Sequence, residues 1–219
     1  MMNNKGAGCG CLIVILVIIM VLVGALIHPI TLRFIGNQFR YEDKIFTSDV
    51  IFVPRFPEDK NGELYVEAFR EFSAGNGKLI FVENDTILGT TIAELVSRMA
   101  KTRNIKEETV KKIVTTGEGL VNAQKIKEQL ERQGIRKVII LVPEYASRRF
   151  HLMFGSSRAA DGGALYLIKP VNVTFFKKDK WWKESNSRGA LTNEAYEIGL
   201  YYLQRFKYGE KEKKDNKRK

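Results

Sequence analysis

Residues 137–154 read Lys-Val-Ile-Ile-Leu-Val-Pro-Glu-Tyr-Ala-Ser-Arg-Arg-Phe-His-Leu-Met-Phe. Val138 to Val142 form an unbroken apolar run, mostly β-branched, which is the pattern of a strand covered on both faces. Pro143 has no N–H to give a ladder and marks the end of the strand. Beyond Glu144, the apolar residues Tyr145, Phe150, Met153 and Phe154 return at helical spacing. A buried strand that passes through a short turn into an amphipathic helix is half of a βαβ unit. Ligands of such sheets sit beyond the carboxyl ends of the strands, which places Pro143–Arg149 at the edge of a site.

The alternation continues outward in both directions. On the N-terminal side, Leu120, Ala123, Ile126 and Leu130 predict a helix stopped at Gly134. Before it, Ile113-Val114 reads as a brief strand and Ile105–Lys111 as a short charged helical piece. Ile92, Leu95, Val96 and Met99 predict another helix, and Thr91, three residues before Glu94, has capping-box spacing. Leu79–Val82 is a strand opening into the loop Glu83-Asn84-Asp85. Leu64, Ala68, Phe69 and Phe72 mark a helix closed by Gly75-Asn76-Gly77, and Val50–Val53 is a first strand ended by Pro54. On the C-terminal side, Leu165–Ile168 and Val171–Phe176 are strand-like. A last helix from about Thr192 to Phe206 would bury Ala195, Ile198, Tyr201 and Tyr202. Strands and helices alternating through short loops predict one α/β domain over residues 49–206, with three layers around a mostly parallel sheet. The tail 207–219, with seven basic and three acidic residues, is expected to be disordered.

Gly6 to Ile27 carries no charge. A helix of about 20 apolar residues spans a bilayer core, so 11–28 is expected to be one transmembrane helix. Residues 1–10 precede it, and 29–48 form a juxtamembrane connector. The competing reading is a cleaved signal peptide, with Lys5 as its n-region, Leu12–Leu22 as its h-region and Val23-Gly24-Ala25 at the cleavage site. Continuation of the apolar run through Leu26 and Ile27 favours the uncleaved anchor. Lys5 before the helix, against Arg33, Arg40 and Lys44 after it, leans towards a cytoplasmic domain.

Composition narrows the chemistry. The net charge is +11, yet outside the tail the basic residues are dispersed rather than set on one stripe with stacking aromatics, which argues against nucleic acid. Cys9 and Cys11 both lie in the apolar N-terminal run, where they read as small apolar residues, so the domain has no thiol chemistry or sulfur metal site. His28 and His151 are too few for a histidine-built zinc site. Neither dinucleotide-binding nor P-loop glycine spacing occurs, and no cofactor is expected.

A parallel sheet gathers Pro54–Asn61, Glu83–Gly89, Thr115–Gly119 and Pro143–Ser147 on one edge. These loops and the helix that follows the last of them offer Arg55, Glu83, Asn84, Asp85, Glu118, Tyr145, Ser147, Arg148 and Arg149. Carboxylates facing arginines in a crevice can hold a polar, zwitterionic or phosphorylated molecule. Ser147, His151 and Asp161 invite a triad reading, but Ala146 and Arg148 stand where a nucleophile elbow has glycines.

Several of these positions carry a resemblance to a known family. Asp49-Val-Ile-Phe-Val, Glu94, Asn122-Ala123, Leu141-Val142 with Tyr145, Arg149 and Phe154, then Trp181-Trp182, Asn193-Glu194 and Tyr201-Tyr202 resemble the SanA/YdcF/ElyC-like domain of bacterial envelopes. The likeness covers about residues 49–206. It implies a Rossmann-like domain behind an N-terminal membrane helix, an extracytoplasmic placement, a role in envelope biogenesis or barrier function, and nucleotide-like ligands. Where the family has glycines after its first strand, this chain has Pro54-Arg55-Phe56. Glu83-Asn84-Asp85 replaces a Ser-Gly-Gly, and Ala146 replaces a histidine. The resemblance thus implies the fold and, together with Glu118 of the crevice loops, points to a ligand site at Glu94, Glu118, Asn122, Tyr145 and Arg149; no catalytic residue is assigned, and whether the chain is an enzyme is left open. Arg149 would hold an anionic group, oriented by Glu118 or Glu94. The expected function is binding of a small polar ligand by a membrane-anchored domain, and the alternative is a non-catalytic scaffold that binds a protein partner.

Overall fold

The computed structural model describes residues 7–87, 89–115, 119–155 and 163–216. Five strands form one sheet: β1 (Val50–Val53), β2 (Leu79–Glu83), β5 (Val110–Ile113), β6 (Lys137–Pro143) and β7 (Leu165–Val171). Their order is β5-β2-β1-β6-β7, and every pairing is parallel. The chain moves outward from β1 to β5 and then returns to build the other half from β6. Strand order therefore reverses between β1 and β6, the place where open α/β sheets bind ligands. Val50–Val53 and Val138–Pro143 are buried throughout, because these central strands are covered on both faces.

Helices α3 (Glu63–Ser73) and α4 (Ile92–Lys101) lie on one face, and α5 (Gly119–Arg132) and α6 (Ser147–Phe154) on the other. Strand β7 records this division. Its Lys169 bonds Glu67 and Glu71 of α3, while Tyr166, of opposite parity, packs on Phe154 of α6.

Several boundaries differ from the sequence reading. One strand, β7, replaces the two strand-like runs and passes through Pro170, which an edge strand tolerates because one side needs no donor. Val173 and Phe176 are buried by turns beyond it. Strand β5 starts at Val110, after a single 3-10 turn at Glu107–Thr109. Lys111 and Lys112 are exposed on this other edge, so the strand lacked an apolar signature. A small hairpin, β3 (Thr86–Ile87) and β4 (Thr90–Thr91), precedes α4. The last helix, α7, runs from Ser185 to Asn216 and so extends into the tail. It buries Leu191, Glu194 and Tyr201 and leaves Ala195 and Tyr202 exposed, a shift in phase explained by the partner of Glu194 below.

Helix α1 (Ala7–Ile27) is apolar on all sides, and Leu12–Val23, Leu26 and Ile27 are each about half exposed or more. Among the described residues no single helix is long and apolar enough to cross a membrane. Leu12–Ile27 together with α2 (Pro29–Asn37), bent by 56°, has the length and composition. The connector between α2 and β1 is docked along the domain. Tyr41 donates its N–H to Ser147 Oγ at 2.7 Å, and Arg148 N–H reaches the Phe39 carbonyl at 3.0 Å. Asp43 N–H bonds the Ile168 carbonyl at 3.0 Å while its Oδ2 accepts from Ile168 N–H at 2.8 Å, so it covers the outer edge of β7.

Candidate functional site

Beyond the carboxyl ends of β1 and β6 lies a cavity of about 440 Å³, within the range of small-molecule sites. Five segments line it: Pro54–Glu58 after β1, Glu83 at the end of β2, Gly119–Ile126 of α5, Tyr145–Phe154, and Ala190–Glu197 of α7. Phe56 packs against Tyr145 and Phe150, with ring centroids 6.4 and 5.8 Å away. It forms part of the wall and leaves the cavity open.

Glu83 joins two of these segments. Its Oε2 accepts Arg55 N–H at 2.9 Å, and its Oε1 accepts from Asn122 Nδ2 at 3.2 Å. The Arg55 guanidinium pairs with Asp85. Gly119 takes a positive φ of 54° as α5 starts, and Leu120 N–H donates to Gln204 of α7 at 3.3 Å. That bond carries the roof helix over the N-terminal end of α5.

Opposite stands the ion pair Arg149–Glu194. Arg149 Nε donates to Glu194 Oε1 at 2.7 Å and Nη2 to Oε2 at 3.2 Å, a two-pronged contact. Glu194 is only 2% exposed. Burial pushes its carboxyl upward, against the pull of the Arg149 guanidinium. Burial also pushes the Tyr145 phenol up, with Glu58 and Glu194 adding to the effect.

Two polar atoms of the wall stand out. Tyr145 Oη and Asn122 Oδ1 are buried, and neither has a hydrogen-bond partner among the described residues. Asn122 is oriented by its bond to Glu83, which leaves the carbonyl oxygen as the unmatched end. An unmet buried polar group costs about 1–3 kcal/mol, so a ligand that met both atoms would recover that cost. Lining carboxylates Glu58, Glu83, Glu194 and Glu197 outnumber the guanidiniums of Arg55 and Arg149. The wall is therefore suited to hydrogen-bond donors.

Three of the five residues named from sequence meet here: Asn122, Tyr145 and Arg149. Arg149 already holds Glu194, so the role of anion holder assigned to it is filled by a neighbouring carboxylate. Glu94 does not line the cavity. It is exposed and closes a capping box with Thr91, its N–H bonding Thr91 Oγ1 at 3.2 Å and its carboxylate accepting Thr91 N–H at 3.3 Å. Glu94→Ala is expected to cost about 0.3–1.5 kcal/mol in a denaturant titration while leaving ligand binding unchanged. Glu118 lies outside the described residues, as does Asp161. Ser147 is fully buried, accepts Tyr41 N–H and donates to the Glu144 carbonyl at 2.8 Å, a structural use of the hydroxyl. His151 stacks on Tyr41 instead, with ring centroids 3.5 Å apart.

Residues missed from sequence are Glu58, Glu194 and Glu197. Glu194 carried a signal: three residues after Leu191 and seven before Tyr201, it falls on the buried stripe of α7. Among the described residues no cluster of three or more His, Cys, Asp or Glu has the geometry to hold a metal ion. Comparison with protein-family models, curated proteins and solved structures finds no match to this chain.

Proposed function

We propose that this chain is a single-pass membrane protein whose α/β domain binds a small polar ligand in the cavity between β1 and β6, in the service of cell-envelope biogenesis or barrier function. The observation that carries the binding reading is the pair of unpartnered buried atoms, Tyr145 Oη and Asn122 Oδ1, in the wall of a cavity at the switch point of the sheet. The envelope role comes with the resemblance to the SanA/YdcF/ElyC-like domain. Its support here is the apolar helix Leu12–Ile27, which together with α2 has the length and composition of a membrane span, bent by 56°. The same resemblance carries the extracytoplasmic placement.

The favoured ligand class is a neutral, donor-rich molecule such as a sugar or the nucleoside part of a nucleotide. Its hydroxyl or amine groups would donate to Asn122 Oδ1 and to the surplus carboxylates, and the Phe56 and Phe150 rings offer apolar faces. A bare anion is disfavoured, because binding to Arg149 would require the displacement of Glu194.

The test is a thermal-shift screen of the full chain in detergent, with sugars, amino sugars, nucleosides and nucleotides as probes. At a ligand concentration about 100 times its Kd the expected stabilisation is about 2.7 kcal/mol, a rise of several degrees in Tm. Tyr145→Phe and Asn122→Leu are expected each to weaken that ligand about tenfold or more. Absence of a shift from every class would leave the scaffold reading in its place.

A further inference from the structure

Helix α2 has an inner and an outer side. It starts at Pro29, after His28, whose Nδ1 accepts Ile30 N–H at 3.3 Å. On the inner side, Trp181 Nε1 donates to the Leu32 carbonyl at 2.8 Å. Gly36 is buried under the same indole, where a Cβ would come within 2.9 Å of the ring. The helix is thereby clamped to the turn at residues 178–182. On the outer side, Ile30 and Phe34 stand one turn apart and are 69% and 63% exposed. They continue the apolar surface of α1 past the 56° bend. Arg33 lies between them, also exposed.

The turn that clamps α2 is basic. Lys177, Lys178, Lys180 and Lys183 lie there against Asp179 and Glu184, and Lys177 pairs with Glu184 at 3.2 Å. Counting Arg33, five positive charges face three negative ones once Glu144 is included, a surplus of two. Arg40 nearby is matched by Glu42 at 2.7 Å. Trp182 stands edge-on to Trp181, with centroids 6.1 Å apart and its ring half-buried. Exposed apolar residues on a helix bent away from α1, with half-buried indoles and surplus lysines on the turn that clamps it, are the composition of an interfacial membrane contact.

We infer that the outer side of α2 and the Trp181–Trp182 turn form a docking surface for an anionic lipid bilayer, and that this surface seats the domain on the membrane that α1 enters. The inference rests on the reading of α1 as a membrane helix. The occupant is assigned to lipid rather than to a second copy of the chain by two features. The surface continues from α1, and its charge is complementary to anionic headgroups.

The sequence contains two tryptophans, and both are in this turn, so tryptophan emission, excited where tyrosine does not absorb, reports on it alone. The experiment reconstitutes the full chain in phosphatidylcholine vesicles with or without phosphatidylglycerol, using lipids brominated near the headgroup end of the acyl chains. In anionic vesicles the emission is expected to be blue-shifted and strongly quenched by bromine. Lys180→Glu with Lys183→Glu is expected to lower the docked-to-undocked ratio about tenfold or more, and Ile30→Ser with Phe34→Ser to abolish quenching. All four positions are exposed, so an unchanged Tm in detergent accompanies each result. Alkaline carbonate extraction separates the two readings. Release from the vesicles overturns the anchor and the docking with it. Retention with tryptophans open to acrylamide and untouched by bromolipid overturns the docking alone. Concentration-dependent dimers that bury the tryptophans without lipid quenching would assign the surface to a second copy and overturn it as well.

Discussion

Arg149→Ala is expected to lower the stability of the domain by about 3–5 kcal/mol, because it leaves an uncompensated carboxylate in the interior. Glu194 is 2% exposed and accepts both prongs of the guanidinium, so solvent cannot take over from Arg149. For a chain of this size the loss corresponds to a fall in Tm of about 6–20 °C. Its pH dependence is diagnostic. Burial already raises the Glu194 carboxyl in the folded state, and removal of Arg149 raises it further. A raised folded pKa means that the native state binds more protons than the unfolded chain, so stability falls as pH rises through that window. The deficit of Arg149→Ala should therefore grow as pH rises above the ordinary carboxylate range and shrink as pH falls towards it, where Glu194 can fold neutral. The paired change Arg149→Leu with Glu194→Leu should recover most of the loss, since apolar replacement of a buried ion pair is often neutral or stabilising. Denaturant titrations across pH test both statements, and a deficit that ignores pH would show that Glu194 is not the group left stranded.

Phe154→Ala is expected to cost about 3–5 kcal/mol, the range for removal of a buried aromatic ring. The side chain is 1% exposed and lies between Phe150, at 5.9 Å, and Tyr166, at 5.5 Å, with Lys127 Nζ 5.5 Å from its ring centroid. It is also part of the cavity wall, so the core and the cavity would change together. Phe154→Leu should keep most of the stability and enlarge the cavity only slightly. The check is to follow the unfolding midpoint alongside ligand affinity. A variant that loses affinity without losing stability would mean that Phe154 contacts the ligand more than it supports the core.

The sheet was legible where burial forces a one-sided composition. Val50–Val53, Leu79–Val82 and Val138–Val142 are central, and a strand hidden on both faces has no place for a polar side chain. The edges were less legible. Lys111 and Lys112 in β5 and Pro170 in β7 are permitted because edge strands meet solvent or lack one neighbour, and each hid part of its strand. The capping box at Thr91 was readable because it is local, whereas the further assignment of Glu94 to ligand binding came from the resemblance. The site was half legible. Loop order places Tyr145 and Arg149 at the sheet edge once the strands are known. That Arg149 is matched by Glu194, 45 residues away, depends on where α7 crosses, and no local pattern encodes it. The same pairing explains the misread phase of α7, since a glutamate on a buried stripe violates every expectation except that of a partner.

The contact between Asp43 and Ile168 determines how the domain bears a load. Between α2 and β1 the chain is not slack. It is fastened at Leu32 by Trp181, at Tyr41 by Ser147 and at Asp43 by both backbone groups of Ile168. Tension applied through α1 thus reaches β7 and the Trp181 turn before it reaches β1. The pull is divided among bonds to the edge strand β7, the Trp181 turn and the start of α6. Because Ser147 and Arg148 hold the connector, a pull on it would also reach the Tyr145–Phe154 segment that lines the cavity.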